Sequence, residues 1–256
     1  MNTRYGIVTI VSAVLVYLAL QFVPDNLVPW RGDRDAQLRT QIDAAFSKND
    51  DSGLFVFLKQ EFPAEYDAFL TDMAKKVRRS PEKGDALRKI AFVAGRDFTV
   101  GLRRENAHYL STAPVGELRA YHLSNLALLE SLRSDPGICA RFAAYGGSDF
   151  SLAEASRLDL EQVSKISLQT FRAIVAGRDR PEPHEPVRDA DWAQVRSDWE
   201  LRSNPSEAMK QALYNQEVAS PGYCEAMISF QRFMATDQSP STVRALVAIS
   251  ASVVAQ

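Results

Sequence analysis

Two cysteines are the chain's clearest candidates for chemistry. Cys139 and Cys224 are the only ones in 256 residues, and each closes the same four-letter spelling, PGIC at 136–139 and PGYC at 221–224. Each follows a run that reads as helix and stands near the start of another. A thiol there meets the positive end of the helix dipole, which lowers its pKa and makes it reactive. A redox enzyme more often shows C-x-x-C, however, and these two lie 85 positions apart. The other readings are two free buried thiols and a disulfide joining two helix starts. A crosslink closing a loop that long stabilises by about 4–5 kcal/mol in the chain-entropy treatment. The expectation is a Cys139–Cys224 disulfide. The similar surroundings also suggest a degenerate duplication of a helix–turn–helix unit.

The three histidines are the next candidates. Glu105 and His108 stand i, i+3, on one side of a helix if the helix is continuous there, with Tyr109 beside them. That E-x-x-H spacing is one that carboxylate-bridged di-iron bundles use in pairs, and no second copy occurs. His122 falls in the middle of the Leu118/Leu126/Leu129 face, where a hydrogen-bonded core histidine is expected. His184 lies in a proline-rich stretch and reads as exposed and inert. The chain has no H-x₃-H, H-E-x-x-H or cysteine cluster, so neither a metal ligand set nor a cofactor is expected. It also has no G-x-S-x-G, P-loop or dinucleotide fingerprint; the glycines of AYGG and VAGRD read as helix ends. Glu117 and Glu130 share a helix but are too far apart to act as a glycosidase pair. If a catalytic site exists, it is built from Glu105, His108, Tyr109 and His122.

The elements that would position these residues are helices. Leu38, Ile42 and Phe46 follow i, i+4, i+8, and Tyr66, Phe69, Leu70, Met73 and Val77 share one side. Leu87, Ile90, Ala94, Phe98 and Leu102 lie along a helix running to about Leu110, with Gly95 and Gly101 in packing positions. Prolines 63, 81, 114, 136, 205, 221 and 240 punctuate the chain at first turns. LFVFLKQEF reads as a short helix despite its strand-like composition. Trp192, Val195 and Trp199 resume a helix after the linker at 178–188. The charge-free end, ALVAISASVVA, is too short to span a bilayer and reads as a core or interface helix. Nine or ten helices are expected, an all-α, multi-helix, bundle-like domain.

The N-terminus sets the compartment. Arg4 precedes an uncharged run from Tyr5 to Pro24, and Gly6–Val23 would span about 27 Å as a helix, enough for a hydrocarbon core. The run lacks an A-x-A-like exit, so an uncleaved anchor is favoured over a cleaved signal peptide or a core helix. Residues 1–24 are thus the expected transmembrane anchor, and 25–33 a connector with Trp30 at the membrane surface. Residues 34–256 form a single helical domain on the extracytoplasmic (periplasmic) side of an inner membrane. Two thiols outside the cytoplasm oxidise if geometry permits. The net charge of −2, with arginines interleaved among acids, excludes a bulk nucleic-acid binder. The expected partners are the membrane, through residues 6–23, and another protein or a second copy of the chain. The expected function is interaction or envelope assembly. A cell-envelope hydrolase and a small-ligand or inhibitor-binding module are the alternatives.

Overall fold

The computed structural model describes residues 34–48, 50, 52–80, 85–146, 150, 154 and 157–254. The expected anchor at 1–24 and the connector with Trp30 lie outside them, as does Pro81. The described chain is all helical: eleven α-helices and one 3₁₀ helix, with no strand. Among the described residues no helix is long and apolar enough to cross a membrane.

The helices are α1 (Arg34–Lys48), α2 (Leu54–Glu61), α3 (Pro63–Arg79), α4 (Asp85–Asn106), the 3₁₀ helix (Ala107–Thr112), α5 (Val115–Ser131), α6 (Pro136–Tyr145), α7 (Leu160–Asp179), α8 (Asp189–Ser203), α9 (Glu207–Tyr214), α10 (Tyr223–Thr236) and α11 (Pro240–Val254). LFVFLKQE is a helix because Asp50 caps it. The Asp50 carboxylate accepts from the backbone N–H groups of Leu54 at 2.8 Å, Phe55 at 2.6 Å and Val56 at 3.1 Å. These are donors that a helix start leaves unpaired. Asp159 does the same for α7, and Asp135 for α6.

Proline marks helix starts less uniformly than its spelling suggests. Pro63 and Pro136 occupy the first turn and Pro240 opens α11, but Pro114 is an N-cap. Pro205 and Pro221 lie just outside α9 and α10. The helix expected to reach Leu110 stops as an α-helix at Asn106 and tightens into the 3₁₀ turn. Gly101 has open space where a Cβ would stand, so packing does not explain it. Gly177 is not a helix end: it lies inside α7, which runs on to Asp179. A Cβ there would run into the Tyr109 carbonyl and stand 3.1 Å from Ala113 N. The missing side chain lets α7 lie against the backbone of the 3₁₀ helix.

Helix α5 is central. It packs against α6, α7, α10 and α11, and Leu118, Leu126, Leu128 and Leu129 are all buried along it. Burying one such leucine is worth about 1.5–3 kcal/mol. Its contact with α7 joins the C-terminal helices to the N-terminal ones, because α7 also meets α2 and the 3₁₀ helix. Helices α1–α4 share an aromatic core. Phe46 stacks on Phe55 at 4.6 Å between ring centroids, and Phe69 on Phe98 at 4.4 Å. The terminal helix α11 is a core element: Ala245, Leu246, Val247, Ile249 and Ser250 are buried.

The proline stretch connects α7 to α8 as a pinned strap. It leaves helical structure after Asp179, not at 178. The Glu182 N–H donates to the Thr112 carbonyl at 2.8 Å. His184 is half-buried, and its Nε2 stands 2.8 Å from the Ala113 carbonyl, to which it must donate. That corrects the expectation of an exposed, inert histidine. Val187, the stretch's one branched apolar side chain, packs against the core.

Candidate functional site

The two cysteines are brought together. Cys139 and Cys224 form a disulfide with Cα atoms 5.5 Å apart, inside the usual bridging range, and both are buried. Their shared spelling does not give a shared turn. In PGIC, Pro136 is the first residue of α6, Asp135 accepts from the Ile138 N–H at 3.3 Å, and the cysteine is the helix's fourth residue. In PGYC, proline and glycine precede the helix, Gly222 is the N-cap, and the cysteine is second. The glycines differ too. A Cβ at Gly222 would stand 3.3 Å from the Ala208 carbonyl of α9, whereas at Gly137 it would meet the Asp135 side chain at an ordinary 3.8 Å. The expected duplication therefore has no structural counterpart at these turns; what the two share is the crosslink.

His122 bonds through both ring nitrogens inside the core. It is 2% exposed, on α5, between α10 and α11. Its Nδ1 lies 2.6 Å from Gln231 Oε1, and its Nε2 lies 3.1 Å from Ser250 Oγ. An amide oxygen can only accept, so Nδ1 carries the proton; the single Ser250 hydroxyl proton is shared between His122 Nε2 and the Leu246 carbonyl, which lies 2.8 Å from Ser250 Oγ. The Ser–His–amide order is that of a hydrolase triad with glutamine in the carboxylate's place. Two features set it apart from a working one. Gln231 carries no charge to stabilise an imidazolium, and Ser250 is 0% exposed, so no substrate reaches its hydroxyl in this arrangement. Burial pushes the His122 pKa down to about 4, and the hydrogen bond to Gln231 offsets only part of that. The imidazole is a neutral three-helix clamp. Gln231 and Ser250 lie 109 and 128 positions from it, and sequence reasoning did not find them. Their only sequence signal is a polar residue amid apolar ones, in ISFQRFM and in VAISASVV.

The other candidates do not join it. Glu105 and His108 are exposed, and Tyr109 is half-buried. Glu105 lies in the last turn of α4 while His108 belongs to the 3₁₀ helix. The junction at Asn106, φ −105° and ψ 2°, falls between them, and both side chains face solvent. His108 instead lies against the Tyr109 ring, 3.9 Å between centroids. Glu130 is ion-paired with Arg232, and Glu117 lies 3.8 Å from Arg180. Among the described residues no three His, Cys, Asp or Glu side chains converge as a metal site would require.

Two further charged groups tie helices together. Buried Asp191 on α8 accepts from the backbone N–H of Arg188 at 2.9 Å and from Arg244 Nε of α11 at 3.0 Å, with a second bond from the same guanidinium. The Arg244 bonds foremost, then the backbone bond, hold the Asp191 carboxyl well below the usual carboxylate range. Asp237, between α10 and α11, takes an ion pair from Arg202 and a 3.0 Å bond from the Ser239 N–H. Beside it runs an open groove of about 750 Å³ lined by Arg202, Ser229, Arg232, Phe233, Asp237 and Ser239. Leu201, 80% exposed, is the chain neighbour of Arg202 in that lining.

Compared with known protein families, with curated proteins and with solved structures, the chain matches none of them.

Proposed function

We propose that this chain is a membrane-anchored, extracytoplasmic helical protein that acts by binding another protein, or a second copy of itself, in envelope assembly. The observation that carries the reading is the buried Cys139–Cys224 bond. Disulfides persist in oxidising compartments, and the apolar run at residues 6–23 supplies a means of export and retention. The two features agree although they come from opposite parts of the chain. A binding role is supported by Leu201. A leucine 80% exposed, next in the chain to a residue that lines an open groove, is the kind of side chain that a partner covers. The hydrolase alternative gains no support, because its triad-like residues are enclosed.

The compartment is tested by fusing alkaline phosphatase and, separately, β-galactosidase after Gln256. High phosphatase with low β-galactosidase activity is expected, and the reverse overturns the reading. Binding is tested with a photo-crosslinking amino acid at position 201 in intact cells. The expected result is one discrete adduct, absent when the probe is moved to exposed Gln194. No adduct at 201, or equal labelling at both sites, removes the binding role.

A further inference from the structure

We infer that the buried face of α5 holds one bound water molecule, seated between the Tyr121 hydroxyl and the Asn125 amide. The two residues are i, i+4 and therefore neighbours on one side of the helix. They are 3% and 2% exposed. The Tyr121 hydroxyl and both polar atoms of the Asn125 amide are shut off from solvent, and among the described residues none has a partner at full hydrogen-bond geometry, although the hydroxyl and the amide lie close enough to interact. Leaving such a group unpaired destabilises by about 1–3 kcal/mol, and native interiors rarely leave three together.

A direct bond between the two side chains does not remove the need for a guest. The amide is near enough to the hydroxyl to draw its pKa down against burial. Even a full bond, however, would use one end of the amide and leave the other unpaired. Water fits what remains: it donates and accepts, and a buried water typically makes about three hydrogen bonds. It would donate to Asn125 Oδ1 or accept from Nδ2, and meet the Tyr121 hydroxyl with its other function. Arg103 of α4, itself 6% exposed, gives this cluster a cationic side, its charge reaching Tyr121. Polar atoms this fully enclosed leave no route for a larger solute.

Crystals of the full chain, grown with and without sodium bromide and diffracting well enough to show ordered solvent, test this. The expected result is one solvent peak about 2.7–3.2 Å from both the Asn125 amide and Tyr121 Oη. Asn125→Leu should lose the peak, and Tyr121→Phe should keep it on Asn125. Three results overturn the inference: no peak, an anomalous bromide signal at the site, or a peak that survives in Asn125→Leu. If Asn125→Leu does not fold, the wild-type and Tyr121→Phe structures decide.

Discussion

Helices α1–α4 and helices α5, α6 and α8–α11 solve the same packing problem with different materials. The first region is held by stacked rings, Phe46 on Phe55 and Phe69 on Phe98, with Tyr66 donating to Asp43 at 3.1 Å at its edge. Its ion pairs, such as Lys59–Asp43 and Lys76–Asp72, are largely exposed, where such pairs contribute about 0–1 kcal/mol. The second region encloses polar groups: the His122–Gln231–Ser250 clamp and the Asp191–Arg244 pair, with the Cys139–Cys224 bond alongside. Ring stacking buries apolar area without leaving a polar group that needs one particular partner. The polar contacts fix which helix meets which, because a misplaced partner leaves a buried group unpaired. The N-terminal region thus contributes bulk burial, and the C-terminal one contributes specificity and a covalent tie.

The largest expected effect comes from removing that tie. Replacing both cysteines, Cys139→Ala with Cys224→Ala, should lower the unfolding free energy by about 4–5 kcal/mol, read by urea denaturation of the protein. Alanine is the right replacement because both positions are buried and a serine hydroxyl would need a partner. A loss below about 1 kcal/mol would show that the bond adds little beyond the packing around it. Next comes the aromatic region. Phe46→Ala removes a ring 1% exposed that stacks on both Phe55 and Phe69, and should cost about 3–5 kcal/mol. If the regions are as different as their contents, the cysteine variant should unfold in two steps, the tryptophan fluorescence, to which Trp192 and Trp199 of α8 contribute, changing before far-UV circular dichroism is complete. Coincident transitions would show one cooperative unit.

Much of the apolar framework is legible from spacing. Ile42, Phe46, Tyr66, Phe69, Leu70 and Met73 are buried where helical periodicity places them, as are Val195 and Trp199. Such contacts leave a repeating trace in the sequence because one face of a helix recurs every three or four residues. The cysteine pair was legible for another reason: with two thiols only one intramolecular pairing exists. The polar clamp was not legible. His122 could be seen to lie on a core face, but its partners stand on two other helices more than a hundred positions away, and no local rule encodes that. Gly177 failed for a related reason. Glycine near a helix end is common enough to read as a stop, and only the approach of the 3₁₀ backbone shows that it is a contact. The Glu105–His108 spacing says nothing of burial: both side chains are exposed, where sharing a side of the helix encloses no site.

The smallest effect tests the polar clamp by pH. His122 titrates at about 4 when folded, against about 6.5 in an unfolded chain. The unfolded state therefore binds the proton first. The histidine's contribution is fully present above about pH 6.5, falls as the pH drops toward 4, and amounts to at most about 3 kcal/mol. The carboxylates held low, Asp191 and Asp237, lose their contributions only as the pH falls below the ordinary aspartate value, about 3.9. The interval between the two therefore isolates His122 from them. Phe46→Ala should lower the whole stability curve without changing its slope there, because no titrating partner is removed. His122→Gln should flatten the slope while keeping a group able to hydrogen-bond both neighbours. An unchanged slope in His122→Gln would mean that the acid sensitivity of the domain arises outside the clamp.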